Sequence, residues 1–433
     1  MKDIPILLPD SSQPKWAMPH HFLNLFKWNG LDSNLKVLNN SFEILGKTAY
    51  ILNLNNQSRL DYDLAKKISP TNHCVYEAFD EKIWLEIEKK NGILVLDSCV
   101  EALVPRDDIA AGLLRGIAAA RIDPNRVFVI NCNLRASSLF HEKYLSQLDQ
   151  KPTILDFDSC FWLLSGYNKI SAENESALKK REISIKSNLL KSRSCKFVSF
   201  NGRMRPHRFY VVLWLLANGL FDSGKISFLG YTTKSDMRAH LLKLRYPEYE
   251  TSMKSFDDLI SRLPITLDVS LEASQKGAAY KTSLPWISQP SDLYDQSWFS
   301  IIVDTSFDPK DYLFLTPIAF KSFMNFSPFV YFGNCGALKR MKALGFRTFS
   351  PLIDESYDDV SDSNTRMEKA LNEVRRLCSM TGNQLREMYV ELLPILTHNY
   401  WHFYQHAPAK AESVFESEIL NPLGLATLSR SEC

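Results

Sequence analysis

The stretch FVSFNGRMRPHRFYVVLWLLANGLFDSGKISFLGY, residues 197–231, decides the fold. A β-branched and aromatic run stops at Phe200, a polar turn follows at Asn201 and Gly202, and the apolar run from Phe209 to Asn218 has helical length. A second short strand, KISFLGY, comes next at 225–231. Strand, helix and strand in succession form the unit of a parallel sheet, because two parallel strands need a long crossover between them.

Working outward, WFSIIVDTSF at 298–307 and SPFVYFG at 327–333 extend the series. The first half repeats the pattern with TAYILNL at 48–54, GILVLDS at 92–98, RVFVINC at 126–132 and PTILDFD at 152–158. Continuous apolar runs of this length suit strands buried on both faces, and DDIAAGLLRGIAAAR at 107–121 reads as an intervening helix. The fold class is therefore α/β, with two Rossmann-like domains.

A chain of 433 residues exceeds what one hydrophobic core sustains, so two cores are expected. The composition turns polar from Ile170 to about Lys191, which puts the boundary near residue 190. Residues 1–190 form the first domain and 191–380 the second. Helices and a tail occupy 381–433, with apolar residues at three- and four-residue steps to about His406 and a loosely packed tail from Ala407. A terminal helix of such length can return to brace the first domain.

The charge balance, 51 basic against 49 acidic residues, excludes the strong positive field of a dedicated nucleic-acid binder. Phosphate recognition must then be local. No apolar run reaches the ~20 residues of a membrane span, and the eight cysteines show no CxxC pair, so reduced thiols and a cytoplasmic location are expected.

Arg203, Arg205, His207 and Arg208 fall at the turn and first helical turn, where unpaired backbone N–H groups and the helix dipole already favour an anion. Basic side chains oppose that dipole, and arginine's planar fork suits phosphate oxygens. This cluster, with Asn201 before it and Tyr231 closing the segment, is the candidate diphosphate cradle. Further on, Thr316 and Lys321 flank a short helix, a glycine-bounded turn follows at Gly333 to Gly336, and DESYDD offers Asp354 and Glu355 as acceptors for sugar or ribose hydroxyls.

The ordered set N-G-R-M-R-P-H-R, then F-L-T-x-x-x-F-K-x-F, then P-F-V-x-x-G-x-x-G and D-E-S-Y-D resembles a group of phage and bacterial glycosyltransferase-like proteins. Those are distantly similar to the donor half of the α-1,3-fucosyltransferase family. The likeness spans about residues 195 to 380. It implies the GT-B architecture, two Rossmann-like domains around a cleft, and donor-phosphate contact by the Arg203 to Arg208 cluster. That family's Thr-Glu-Lys triplet aligns with Thr316, Pro317 and Ile318, so the glutamate and lysine are missing and Lys321 offers charge one turn later. Fold and reaction class carry over; the identity of the sugar does not.

The expected activity is transfer of a sugar from a nucleotide-sugar donor to a saccharide or lipid-linked saccharide acceptor of a surface polysaccharide. An inverting transfer needs a base on the first domain, and the strand-end carboxylates Glu101, Asp158 and Asp97 are the candidates. His20 and His21 lack a partner spacing for a metal, and Asp156 with Asp158 is the one doublet in a strand-end context. The resemblance implies no metal and no cofactor beyond the donor. Two other readings stay open: glycosylation of modified bases in DNA, and a non-catalytic nucleotide-sugar-binding protein.

Overall fold

The computed structural model describes residues 4–7, 35–38, 49–53, 92–98, 107–119, 122–167, 172–188, 191–202, 204–229, 234–267, 291–307 and 311–424. The chain divides into two compact units. One comprises Met1–Asn168, Asp311–Phe314 and Pro408–Cys433, the other Lys169–Lys310 and Leu315–Ala407.

Among the described residues, the first unit is built on six parallel strands, β1 (Ile4–Leu7), β2 (Leu35–Leu38), β3 (Ala49–Asn53), β4 (Ile93–Ser98), β5 (Val127–Asn131) and β6 (Thr153–Asp156). Their order across the sheet is β2-β1-β3-β4-β5-β6. Beginning inside the sheet and winding out both ways is the doubly wound plan, with its reversal between β1 and β3. All five residues of β5 are buried, as a strand covered on both faces requires. The helix Asp107–Ala119 lays Ala110, Leu113 and Ile117 on Leu94, Leu96, Val127 and Val129.

Among the described residues, the second unit holds four parallel strands, β7 (Cys195–Asn201), β8 (Gly224–Phe228), β9 (Ser297–Val303) and β10 (Phe329–Phe332). The order β10-β9-β7-β8 again starts inside, so this sheet reverses between β7 and β9. The helix Pro206–Ala217 follows β7 and is buried from His207 through Leu215. The run Arg347 to Phe349 forms no strand. There the Asn399 side-chain amide takes the place of a neighbouring strand, accepting from the Arg347 N–H at 2.8 Å and donating to its carbonyl at 2.7 Å.

The division falls at Asn168, ahead of the expected cut near residue 190. The polar stretch is the helix Ala172–Ser187, and it belongs to the second unit. Arg181 forms a two-pronged pair with Asp295, both contacts at 2.6 Å, and Trp401 Nε1 donates to Glu182 at 2.8 Å. Composition marks exposure here, whereas these few anchors decide allegiance.

From Ala407 to Gly424 the chain is packed and is not a loose tail. A helix Ala407–Phe415 and a π turn Glu416–Leu420 bury Phe415, Ile419 and Leu420, and Phe415 meets Phe157 edge-on at 6.1 Å. The helix Gly382–Trp401 belongs to the second unit, and the segment from Pro408 onward belongs to the first. Because Phe415 is fully buried, Phe415→Ala is expected to destabilise the protein by about 3–5 kcal/mol, read as a fall in the urea midpoint. A change within 0.5 kcal/mol would mean that the packing is dispensable.

Candidate functional site

Parallel sheets of this kind offer ligand space beyond the carboxyl ends of the strands, where the winding reverses. In the second unit that point lies between β7 and β9, which run in register with Val198 opposite Ser300. Asn201 closes β7, and Asp304 follows Val303, the last residue of β9.

After β7 the chain turns directly into the helix Pro206–Ala217. Pro206 occupies a first-turn position, where a missing N–H costs nothing, and Arg205 is the extended residue ahead of it. Arg205 makes no side-chain capping bond at this helix start, and the first turn contains no acidic residue. Arg205 is exposed. The helix after β10, Ala337–Ala343, contrasts with it: the Asp358 carboxylate accepts from the N–H groups of Leu338 and Lys339, each at 3.0 Å. The chain itself fills that second anion site. The turn leading into it needs two of its glycines, since Gly336 has φ +81° and a Cβ on Gly333 would lie 2.1 Å from the Tyr331 ring.

The other basic residues of the expected cradle point inward. Arg208 is 2% exposed and donates through Nε to the Val303 carbonyl at 2.9 Å and through its terminal nitrogen to Thr305 Oγ1 at 3.4 Å. It fastens the end of β9. His207 is buried with Nε2 2.8 Å from the Asp304 carbonyl, and its ring stacks on Phe307. Burial holds its pKa down to about 3, so His207 is a neutral donor to that carbonyl, not a cation for phosphate. Arg203 and Tyr231 lie outside the described residues.

This burial has a pH consequence. Below 6.5 an unfolded imidazole takes a proton that the folded one refuses down to about 3, so stability falls as pH falls through that window. The expected loss is about 1.4 kcal/mol per pH unit from His207 alone. In His207→Gln, denaturation curves between pH 7 and pH 4 are expected to be flatter by that amount. Equal slopes in both proteins would contradict the assignment.

Asp304 was not picked out by sequence, although it ends an apolar strand just as Asp97 does. It is fully buried, and its carboxylate accepts from the Thr305 N–H at 2.6 Å and from the hydroxyls of Thr316 and Tyr331. Thr316 thereby becomes part of the carboxyl edge, while Lys321 sits at the end of the helix Pro317–Lys321, half-buried. Arg366, also missed, is 2% exposed and donates to the carbonyls of Phe307, Gly333, Val360 and Ser361. One guanidinium therefore ties together the loops that follow β9 and β10.

Within DESYDD the side chains have separate tasks. Glu355 accepts from Thr348 Oγ1 at 2.5 Å and the Phe349 N–H at 2.6 Å, and burial raises its pKa. Its oxygens serve the loop at 348–350 and not a ligand hydroxyl. Asp354 is exposed and accepts from the Ser356 N–H at 2.9 Å, which holds its carboxyl below the usual range.

In the first unit, Asp156 accepts from Ser137 Oγ at 2.6 Å, from the Ser137 N–H at 3.0 Å and from Asn131 Nδ2 at 2.9 Å. It starts the helix Ala136–Phe140 and is thereby withdrawn from the doublet with Asp158. Asp158 is 5% exposed beside the helix Ser159–Tyr167. Asp97 sits at the carboxyl end of β4 opposite Asn53 of β3, and its side chain, like all of Glu101, lies outside the described residues. Among the described residues no group of three or more His, Cys, Asp or Glu is placed to hold a metal.

No protein-family model matches the chain. No curated protein matches it either. Among solved structures it is similar to α,α-trehalose 6-phosphate synthase from Burkholderia multivorans, at 10% identity and a TM-score of 0.42, covering 100% of this chain and 99% of that one. It is similar to S. aureus MnaA solved with UDP, at 12% identity and a TM-score of 0.39, covering both chains completely. A third is UDP-GlcNAc 2-epimerase from Neisseria meningitidis bound to UDP-GlcNAc, at 10% identity and a TM-score of 0.36, covering 97% and 100%. Scores of this size carry no functional argument, and the α/β assignment stands on the two parallel sheets and their strand orders. Among the described residues no helix is long and apolar enough to cross a membrane.

Proposed function

We propose that the chain is a glycosyltransferase of the two-Rossmann-domain, GT-B kind. Its second unit takes a nucleotide-sugar donor at the carboxyl edge between β7 and β9, and the sugar passes to a saccharide or lipid-linked saccharide acceptor. The observation that carries the reading is the start of the helix Pro206–Ala217, placed at the sheet's reversal with an exposed Arg205 ahead of it that makes no capping bond. Backbone N–H groups, the positive end of the dipole and a guanidinium together suit a diphosphate, whose charge grows as the glycosidic bond breaks.

In this reading Arg205 and Arg203 neutralise the leaving diphosphate without a metal. His207, Arg208 and Arg366 hold the loops behind the site. The base that takes the acceptor's proton is one of Glu101, Asp97 or Asp158, which end or follow strand-forming runs in the sequence. Pro317 and Ile318, standing where the related family has glutamate and lysine, favour one rival: a protein that binds nucleotide sugars without transferring them.

A transfer assay separates the readings. Purified protein with a panel of nucleotide sugars is expected to label oligosaccharide acceptors and to leave duplex DNA unlabelled. Label on DNA alone would reverse the acceptor assignment, and saturable donor binding with no transfer or hydrolysis would establish the binding protein.

A further inference from the structure

The carboxyl edge of the second sheet contains a buried side-chain oxygen without a partner. Asn201 is fully buried, and its Oδ1 has no hydrogen-bond partner. Its orientation is fixed by its neighbours. Ser199 Oγ gives its proton to the Ile301 carbonyl at 2.9 Å, so it must accept from Asn201 Nδ2 at 3.0 Å, which turns Oδ1 the other way. An unmet buried acceptor is costly, and natural folds keep few of them.

Thr316, which precedes the helix Pro317–Lys321 and bonds to Asp304 at the end of β9, is in a related state. Its single hydroxyl proton goes to Asp304, and the Tyr331 hydroxyl donates to the same carboxylate. Thr316 Oγ1 therefore has only lone pairs to present. A phosphate oxygen is itself an acceptor, and neither Asn201 Oδ1 nor Thr316 Oγ1 can serve it.

We infer that Asn201 and Thr316 read hydroxyl groups of the donor, on its ribose or its transferred sugar, while the phosphates fall to the helix start and Arg205. This rests on the donor reading above and divides that site into an accepting half and a donating half. The accepting half selects for ligands that bring their own O–H groups, because a ligand lacking them leaves the oxygens unmet.

Calorimetric titration of the full chain tests the division, using inorganic pyrophosphate, a set of nucleoside diphosphates and their sugar conjugates. Asn201→Ala is expected to weaken hydroxyl-bearing ligands about tenfold and to leave pyrophosphate affinity unchanged. Thr316→Val is expected to act in the same sense. Weakening of the plain nucleoside diphosphates assigns the ribose, and weakening confined to the conjugates assigns the transferred sugar. Asn201→Ala removes one hydrogen bond to Ser199 along with the unmet acceptor, so its urea midpoint is expected to fall by no more than one neutral hydrogen bond contributes, which leaves the protein folded and loss of binding separable from unfolding. Equal weakening of pyrophosphate, or no weakening of any ligand in both variants, overturns the inference while leaving the donor reading intact. A wild-type protein that binds none of these ligands ends both.

Discussion

Asp304→Ala is expected to lower the stability of the protein by at least about 3 kcal/mol, since each buried donor left unmet costs ~1–3 kcal/mol. Four donors lose their acceptor at once: the N–H groups of Thr305 and Thr316 and the hydroxyls of Thr316 and Tyr331. All of this happens where exposure is 0% for Asp304, 5% for Thr316 and 2% for Tyr331, so water cannot replace the carboxylate without a cavity opening at the end of β9. Asp304→Asn keeps the shape, and its amide can donate to a hydroxyl that turns to accept, so about half the loss should be recovered. Urea denaturation of the two variants beside Asp354→Ala, an exposed control, gives the comparison. Equal effects from Asp304→Ala and Asp354→Ala would show that the network contributes nothing.

Arg205→Ala is expected to do the opposite, leaving stability within 0.5 kcal/mol and weakening the donor by about 10- to 100-fold. The side chain is exposed and precedes the helix without capping it, so folding does not depend on it. A charge-assisted bond to phosphate is worth roughly 1.5–3 kcal/mol, which converts to that range of affinity. Lysine should restore part of it, supplying charge without the fork. Arg208→Ala should reverse the pattern: its guanidinium holds Val303 and Thr305, so stability falls first. Loss of donor affinity in Arg208→Ala with no loss of stability would return Arg208 to the phosphate side.

Strands such as VFVIN and SWFSIIV were legible because burial on both faces leaves them mainly apolar, with Asn131, Ser297 and Ser300 as their polar members. The four-residue strands Ile4–Leu7 and Leu35–Leu38 were not: runs that short resemble any apolar patch, and pairing with each other and with β3 defines them. The basic helix start was visible as charge out of place. Which of its members face inward was not, because a guanidinium or imidazole at a helix start can equally meet solvent or a neighbouring strand's carbonyl. Arg208 and His207 take the second course, meeting Val303 and Asp304. The packing of Phe415 on Phe157 joins positions too distant in sequence for periodicity to link.

The most direct measurement is calorimetric titration of a nucleotide-sugar panel into the wild-type chain and Arg205→Ala side by side. The account predicts saturable binding of at least one nucleotide sugar at one site per chain, and at least tenfold weaker binding to the variant. No binding across the panel, or equal binding by both proteins, would contradict a donor site at the start of the helix Pro206–Ala217.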